Sequence, residues 1–314
     1  MNRIALIDGD VMLYQCGFAA EHRTYTVELP DGTLLNADDG RHANKLVKAN
    51  ENSIRHCEHY VAPVEHAIQN LRTKLDFILR RTGAGRYKLY LTGDGNFRET
   101  LVDDYKANRT APKPVHYEDM REFMLHHMGA ELIEGQEADD AMAIEQMNSF
   151  DDTIICTIDK DLKMIPGNHY HLSDDRLFKV SELEGIRFFY TQILTGDSTD
   201  NIHGLFARTG RKVMAKTKEP IETLTDELSL WAYVCSVYDV ELDDEELITT
   251  AQLLWMRREP DQLWRPPTEV TYYERKEGEE VTEDGSADQP ASGDDIRPDA
   301  ERDGSYDAVP AEGC

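Results

Sequence analysis

Three short apolar runs in the first half of the chain have the pattern of buried strands. They occupy residues 4–7, 88–92 and 153–158. Each run is continuous rather than alternating, which is typical of parallel strands that are covered on both faces. We therefore predict that these runs belong to one parallel sheet.

Helical patterns separate the apolar runs. Over residues 59–81, apolar positions recur at helical spacing, and the pattern stops at Gly83. Residues 117–128 and 138–147 are also predicted to be helices. Strands that alternate with helices indicate an α/β fold with an open, mostly parallel twisted sheet flanked by helices.

The remaining segments differ in character. Residues 21–58 are polar, with a hairpin signal around Pro30-Asp31-Gly32, and are predicted to be an excursion before the first long helix. Residues 188–260 are predicted to be wholly helical, and the folded part is expected to end near Pro266-Pro267. Residues 274–314 hold 14 acidic and 4 basic residues among Gly, Ser, Pro and Ala, so we expect a disordered acidic tail.

The charge balance limits the partners that the chain can have. The net charge is −27 over 314 residues, which argues against non-specific binding of nucleic acid. A nucleic-acid substrate is still compatible with this charge, because bound metal ions would reverse the local field. The cysteines form no CxxC pair and show no zinc-ligand spacing, so they are expected to be reduced thiols.

Acidic residues follow each of the apolar runs. Asp8 and Asp10 come after the first, Asp94 after the second, and Asp159 and Asp161 after the third. In an open α/β sheet, ligands bind beyond the carboxyl ends of the strands. These acids are therefore predicted to meet at one edge of the sheet, and Asp10 is expected to be a turn neighbour and not a ligand.

Two further acidic clusters open predicted helices. Glu137, Asp139 and Asp140 form one, and Asp197 and Asp200 form the other. Capping of free N–H groups explains Asp139 or Asp197 taken singly. It does not explain all the clusters together, because so many carboxylates repel one another unless a cation is present. Carboxylate oxygens suit Mg²⁺ or Mn²⁺, and two such ions about 4 Å apart would act on a phosphodiester.

A short basic segment lies between the second run and the Glu137 cluster. Cationic side chains there can hold phosphates and stabilise developing negative charge, and Phe97, Tyr105 and Tyr117 can stack on unpaired bases. For Lys113 and Arg121, the alternative explanation is that they lie on a solvated helix face. The basic residues of the segment are Arg98, Lys106, Arg109, Lys113 and Arg121.

Taken in order, these segments resemble the flap-endonuclease / 5′-nuclease family, in its bacteriophage 5′→3′ exonuclease branch. The resemblance spans most of residues 1–215, and the set of motifs is highly specific although each motif alone is weak. The matching segments are IALIDGD (4–10), YLTGDGNFR (90–98), YKANR (105–109), GQEADD (135–140), TIDKDL (157–162) and GDSTDNIHG (196–204).

The resemblance implies a role for each matched residue. Lys106 and Arg109 match basic residues at the base of a helical arch, which would be residues 95–134 and would contact the scissile phosphate. With them, Asp8 and Asp94 are the expected catalytic residues. The first metal site would use Asp8, Asp94, Glu137, Asp139 and Asp140. The second would use Asp159, Asp161, Asp197 and Asp200.

The resemblance also implies a domain plan. A PIN-like nuclease core would span residues 1–187, a helical DNA-binding region with a helix–three-turn–helix element 188–265, and the acidic tail 266–314. Residues 204–212 depart from the closely spaced glycines usual in that element, and Gly210 and Lys212 keep part of the pattern. Lys216 and Lys218 extend a basic patch there. The expected DNA-binding residues are Arg98, Tyr105, Lys106, Arg109, Lys113, Arg208, Arg211 and Lys212.

The expected function is that of a structure-specific 5′→3′ exodeoxyribonuclease or flap endonuclease with two Mg²⁺ or Mn²⁺ ions. DNA with a 5′ end or flap is the expected substrate, and RNA in RNA–DNA hybrids is a second candidate. Two alternatives stay open: a haloacid-dehalogenase-like phosphatase, suggested by Asp8-Gly9-Asp10, and a non-catalytic DNA-binding protein on the same scaffold.

The surroundings of the protein follow from the same features. No signal peptide or membrane span is seen, so we expect the protein in the cytoplasm, which is that of the host cell if a phage encodes the chain. We also expect a monomer. The acidic tail is expected to screen the protein or to contact a protein partner.

Overall fold

A computed structural model describes residues 3–150, 152–271 and 273. Of the predicted acidic tail, residues 274–314 lie outside the described residues. The strands are β1 (Ile4–Asp8), β2 (Glu21–Glu28), β3 (Leu34–Ala37), β4 (Ile54–Val61), β5 (Arg86–Thr92), β6 (Glu131–Ile133), β7 (Thr153–Thr157), β8 (Gly167–His171), β9 (Arg176–Val180), β10 (Gly196–Asp197) and β11 (Ile202–His203).

Helices cover both faces of the sheet and predominate between residues 182 and 254. A 3₁₀ turn lies at Asp161–Met164. The α-helices are α1 (Gly9–Phe18), α2 (Gly40–Ala49), α3 (Val64–Thr82), α4 (Arg98–Leu101), α5 (Tyr117–His127), α6 (Ala138–Asn148), α7 (Glu182–Thr195), α8 (Leu205–Thr209), α9 (Ala215–Thr223), α10 (Glu227–Tyr238) and α11 (Glu245–Leu254).

The central sheet has the strand order β6-β5-β1-β7-β8-β9. All neighbouring pairs are parallel except β8 with β9, which confirms the predicted mostly parallel α/β sheet. The strand β1 lies between β5 and β7, with Ile7 opposite both Leu89 and Cys156. The carboxyl ends of β1, β5 and β7 therefore meet at one edge, as the sequence predicted.

Alternate residues of the strands pack into separate cores on the two faces of the sheet. Ile7 of β1 belongs to one core, which lies against α1, α3 and α5. Leu6 belongs to the other, which includes Met142 of α6 and continues into Phe189 and Trp231. Because this second core runs past residue 187, apolar packing joins the sheet to the C-terminal helices. The proposed division at 187/188 stays a prediction.

The polar excursion is larger and more regular than predicted. The strands β3, β2 and β4 form a separate antiparallel sheet in that order, and α2 packs on it. The β2–β3 hairpin turns where it was predicted, with Leu29 N donating to Thr33 O at 2.9 Å. The predicted helix at 59–81 was wrong at its start, because residues up to Val61 pair with β2 and α3 begins only after Pro63.

The segment 188–260 is not wholly helical. The helix α7 ends at Gly196, whose φ of 69° suits glycine, and β10 then pairs with β11. Gly204 lies so close to this turn that an added Cβ would be 2.4 Å from Gly196 N. The chain also leaves the helical conformation after Leu254. None of the helices in the described ranges is long and apolar enough to cross a membrane.

His169 gives the fold a pH-sensitive component. It is 2% exposed on β8, bonds the Ile165 carbonyl through Nε2 at 2.7 Å and stacks on Phe178. Burial lowers its pKa from 6.5 to about 4. Because the unfolded chain takes up the proton first, this group is expected to reduce the free energy of unfolding as pH falls from about 6.5 towards 4.

We expect His169→Gln to remove this component while it keeps a side-chain donor for Ile165. Between pH 7 and pH 5, the wild-type protein should lose about 2 kcal/mol more of its free energy of unfolding than the variant does. Urea denaturation at both pH values measures the difference. Parallel losses in the two proteins would contradict the expectation.

Candidate active site

Asp8 and Asp10 follow β1 and enter α1. Asp8 caps the helix, because its Oδ1 accepts from Val11 N at 2.9 Å, and its Oδ2 accepts from Thr157 Oγ1 at 2.8 Å. Asp10 accepts from Thr92 N at 3.0 Å and so ties α1 to the end of β5. Asp8 therefore lies between the ends of β1 and β7, while Asp10 has a structural contact.

The acids after β7 are held in a tight turn. Asp161 N donates to Asp159 Oδ1 at 2.7 Å, and the buried amide of Gln192 donates to Asp161 Oδ1. The same Gln192 leaves its own Oε1 without a hydrogen-bond partner. Asp161 thus has a fixed position next to Asp159, and one oxygen of Gln192 is left buried nearby.

Electrostatic coupling joins the acids from different elements into one site. Burial, with the charges of Asp10 and Asp159, raises the pKa of Asp8 to about 7. Burial, with the charges of Asp159 and Asp197, raises the pKa of Asp161 to about 8. Burial and the charge of Asp8 also raise the pKa of Asp139. We call this group the acidic site; it comprises Asp8, Glu137, Asp139, Asp159, Asp161, Asp197 and Asp200.

The basic segment reaches the acidic site at two of its carboxylates. Lys106 Nζ contacts Glu137 Oε1 closely and lies 3.5 Å from Asp200 Oδ2. Arg109 also donates to Asp200. The hydroxyl of Tyr105 bonds Asp200 at 3.1 Å and lies 3.3 Å from Glu137 Oε1. These residues therefore lie between Glu137 of the predicted first metal set and Asp200 of the predicted second set.

Backbone contacts hold the basic segment in that position. Lys106 N donates to Asp200 O at 3.1 Å, and Asn108 Nδ2 donates to Ser198 O at 2.7 Å. Lys106 has a φ of 57°, a left-handed conformation that is uncommon for a residue with a side chain. The contacts with residues 198–200 thus hold an unusual turn that places Lys106 beside Glu137 and Asp200.

Positive charge already lies on part of the acidic site. Lys160 Nζ is 3.0 Å from Asp197 Oδ2. Burial opposes ionisation of Asp200, yet Lys106 and Arg109 bring its pKa below the ordinary value. Within the described residues, no three His, Cys, Asp or Glu side chains are grouped so that they could hold a metal ion as they stand. For Asp197 or Asp200 to bind a metal ion, the nitrogens of Lys160, Lys106 and Arg109 would have to leave these two carboxylates.

The chemistry of the donors nevertheless fits a hard divalent cation. The donors are carboxylate oxygens, and burial together with mutual repulsion raises the pKa values of Asp8, Asp139, Asp159 and Asp161. A bound Mg²⁺ or Mn²⁺ would offset both effects.

Four of the predicted site residues are exposed or are already paired with each other. Asp94 is exposed after β5, where its N–H donates to Glu134 at 2.9 Å. Lys113 is exposed and lies 4.1 Å from the centre of the Tyr117 ring. Arg98 and Asp140 form a fully buried ion pair. Because Arg98 has no exposed surface, it cannot contact a DNA phosphate in this conformation.

The predicted DNA-binding residues differ in their availability. Tyr105 is 9% exposed, so its ring is not open to stacking on a base. Arg208 is paired with Asp244 at 2.9 Å. Arg211 and Lys212 are exposed after α8, which occupies the stretch where the family glycines are missing. Arg211 and Lys212 are therefore the predicted DNA-binding residues of this region that are exposed for contact with phosphates.

Sequence reasoning missed the uncharged residues that order the acids. Thr157 bonds Asp8, Gln192 bonds Asp161, and Asn96 Nδ2 donates to Glu137 at 2.7 Å. Gln192 and Asn96 lie 31 and 41 residues from their partners, so no local pattern connects them. Only Thr157, two residues before Asp159 in a recognised motif, had a signal in the sequence.

No family model and no curated protein matches the chain. A solved structure that is similar is the bacteriophage T5 flap endonuclease in a pseudo-enzyme–product complex with DNA and metal ions: 14% identity, 80% of this chain, 88% of that chain and a TM-score of 0.53. A bacteriophage T5 protein co-crystallised with metal ions has 14% identity, coverage of 80% and 88%, and a TM-score of 0.48. A mutant of the T5 5′-exonuclease has 12% identity, coverage of 81% and 85%, and a TM-score of 0.48.

The comparison with the T5 flap endonuclease concerns the fold. The match extends over most of both chains, so this chain shares the fold of that protein, in agreement with the predicted mostly parallel α/β sheet flanked by helices. At 14% identity the comparison shows the fold alone.

Proposed function

We propose that the protein is a divalent-metal-dependent 5′-nuclease that hydrolyses phosphodiesters at the 5′ ends or flaps of DNA. RNA in RNA–DNA hybrids is a second substrate of the same proposal. The proposal rests on one observation: buried carboxylates with raised pKa values share one sheet edge with Lys106 and Arg109. Such an arrangement suits a negatively charged ester held between cations.

The carboxylates divide into two sets around the basic segment. Bound Mg²⁺ or Mn²⁺ ions would supply the positive charge that promotes ionisation of the attacking water and stabilises the leaving oxygen. In our proposal the first set is Asp8, Glu137 and Asp139 of the acidic site. The second set is Asp159, Asp161, Asp197 and Asp200.

In the proposed reaction the basic residues bind the phosphate and stabilise negative charge. Lys106 and Arg109 would exchange their carboxylate partners for oxygens of the scissile phosphate, where a fixed cation stabilises the charge of the transition state. Tyr105 keeps the turn in place through Asp200 and Glu137. Arg211 and Lys212 are exposed and would contact phosphates of the duplex beyond the cleavage point.

The phosphatase alternative gains no support from the geometry. Its nucleophile would be Asp8, with Asp10 as the partner acid, but Asp8 caps α1 and Asp10 is turned to Thr92. The contacts of Lys106 with Glu137 and Asp200 would also have no part in that reaction.

The purified full chain with Mg²⁺ or Mn²⁺ is expected to release short products from a 5′-labelled DNA duplex with a 5′ flap. Excess EDTA should abolish the release. A matched substrate with a 3′ flap should be cut much more slowly, and the ladder of product lengths distinguishes flap removal from stepwise exonuclease action.

Two results would overturn the proposal. Binding of the flap substrate without cleavage in Mn²⁺ would favour the non-catalytic protein. Rapid turnover of a small phosphomonoester, with phosphate trapped on Asp8, would favour the phosphatase.

A further inference from the structure

Arg98, at the start of α4, is a fully buried charged group. Its side chain is 0% exposed. The guanidinium pairs with Asp140 through two bonds, Nη1 to Oδ2 at 2.6 Å and Nη2 to Oδ1 at 3.0 Å. A buried pair of this kind is costly to assemble and more costly to break by removal of one partner. Its position next to the acidic site therefore calls for an explanation.

The remaining donors of Arg98 reach the end of α11. Nε donates to the Leu253 carbonyl at 2.8 Å, and Nη2 donates to the Trp255 carbonyl at 2.7 Å. These carbonyls lie where α11 ends, and the last carbonyls of a helix have no partner within the helix. We call residues 253–257 the C-terminal strap.

The carboxylate of Asp140 accepts further hydrogen bonds from the strap and from the N-cap of α6. Besides the two Arg98 bonds, Oδ1 accepts from Arg257 N of the strap at 3.0 Å, and Oδ2 accepts from Glu137 N at 3.3 Å. Burial opposes its ionisation, but the Arg98 guanidinium brings its pKa below the ordinary value. Asp140 therefore differs from Asp139, whose pKa is raised by burial and by neighbouring acids.

The strap is also packed against the residue before Arg98. Arg257 lies over the Phe97 ring at 3.8 Å from its centre, and Arg98 lies over the same ring at 4.6 Å. Arg257 also donates to Gln136 Oε1 at 3.0 Å, directly before Glu137. The strap thus clamps the start of α4 to the first turn of α6.

We infer that Arg98, Asp140 and the C-terminal strap form a positioning cluster that sets Glu137 and Asp139 for metal binding, with Asp140 as an anchor and not as a ligand. The inference rests on the proposed function, because it assigns residues within that site. It also explains why Arg98, although it lies in the basic segment, is closed to DNA.

The test compares Arg98→Gln, Asp140→Asn and the double variant, which replaces a charged pair with a neutral hydrogen-bonded one. Arg98→Gln is expected to weaken Mn²⁺ binding, measured by electron paramagnetic resonance, about 10-fold or more, since partners of metal ligands typically contribute 10- to 100-fold. The kcat for flap cleavage should fall with it while the KM for DNA stays unchanged. The double variant should bind Mn²⁺ at least 10-fold more tightly than the additive effect of the two single changes.

A matched control separates this role from a general loss of stability. Arg187 on α7 donates to the Leu224 carbonyl through Nε and Nη2, so these hydrogen bonds lie within the C-terminal helices. Arg187→Gln should lower the melting temperature but leave Mn²⁺ affinity and kcat near wild type. If Arg98→Gln does not fold, Arg98→Lys keeps the charge, loses the planar fork and is expected to show a smaller loss of Mn²⁺ affinity in the same direction.

The outcomes distinguish this inference from the proposed function. Loss of Mn²⁺ binding in Asp140→Asn that Arg98→Gln does not relieve would make Asp140 a ligand and overturn the inference, while cleavage by the wild type would leave the function standing. A raised KM with unchanged Mn²⁺ affinity in Arg98→Gln would also overturn it, because that is the result for a phosphate contact. A wild type that binds Mn²⁺ but does not cleave would refute the function and leave the positioning cluster to be decided by Mn²⁺ binding alone.

Discussion

Asp159→Asn combined with Asp161→Asn is expected to abolish cleavage and at the same time to stabilise the metal-free protein. Cleavage should fall by roughly a thousandfold or more, because bound cations supply several kcal/mol of transition-state stabilisation. The Asn side chain at 161 can still accept the hydrogen bond from Gln192, so the local structure is expected to persist. Rates on the 5′-flap substrate at saturating Mg²⁺ measure the loss.

The stability change has the opposite sign because these carboxylates are buried close to one another. Burial and neighbouring acids raise the pKa of Asp161 to about 8 and raise the pKa of Asp159 as well. A folded pKa above the unfolded value means that ionisation opposes folding as pH rises from about 4 towards 8. In EDTA at pH 7, the double variant should therefore be more stable than wild type by an amount on the order of a few kcal/mol.

Urea denaturation with EDTA and with Mg²⁺ checks this result. Wild type should gain stability on addition of Mg²⁺ by mass action, and the double variant should gain little. Asp76→Asn on the exposed face of α3 is the control, and it should leave both rate and Mg²⁺ response unchanged. A double variant that still cleaves, or that gains as much from Mg²⁺ as wild type, would contradict the proposal that Asp159 and Asp161 hold the metal.

Lys106→Met is expected to reduce kcat by about 100- to 1000-fold with a smaller effect on the KM for DNA. The reason is that removal of one fixed cationic or hydrogen-bonding group at the reacting centre costs about that factor. The Met side chain keeps much of the lysine stem, so packing against the Tyr105 ring, 5.1 Å from Lys106 Nζ, is largely retained. The result is measured in single-turnover and steady-state cleavage of the flap substrate.

The control for Lys106→Met is Lys179→Met, which removes an exposed charge from β9. It should leave kcat unchanged, so that a general loss of positive charge is separated from a loss at the site. If Lys106 were only an anchor for DNA, the variant would instead raise KM and lower the salt dependence of binding by about one unit of slope. That pattern, with kcat near wild type, would contradict the proposed role.

The sheet and much of the acidic site were predictable because their signals are local. Continuous apolar runs identified β1, β5 and β7, and the parallel arrangement of such strands brings the acids after them to one edge. Asp8, Asp159 and Asp161 were located by this reasoning. Asp94 shows its limit, because it follows β5 in the same way and yet lies exposed at the surface.

Other features depend on contacts between distant parts of the chain. The interval 188–260 has helical periodicity, but the close approach of Gly196 and Gly204 makes a turn and a short β10–β11 pair within it. The start of α3 was misjudged because pairing of β4 with β2 extends to Val61 and overrides the local helical pattern. In both places, a tertiary or cross-strand contact outweighed local propensity.

The amino-acid sequence by itself determined the class of fold, the edge of the sheet where the acids gather and the hard-cation chemistry of their oxygens. These follow from residue type and spacing, which act over a few neighbouring positions. Only the tertiary structure decided which charges are paired. Arg98 and Asp140 are 42 residues apart, and the Trp255 carbonyl is 157 residues from Arg98. Arg98 nevertheless bonds both of them, because its guanidinium is buried away from water. A buried charge must find a partner wherever the fold supplies one, and no local pattern records which partner that is.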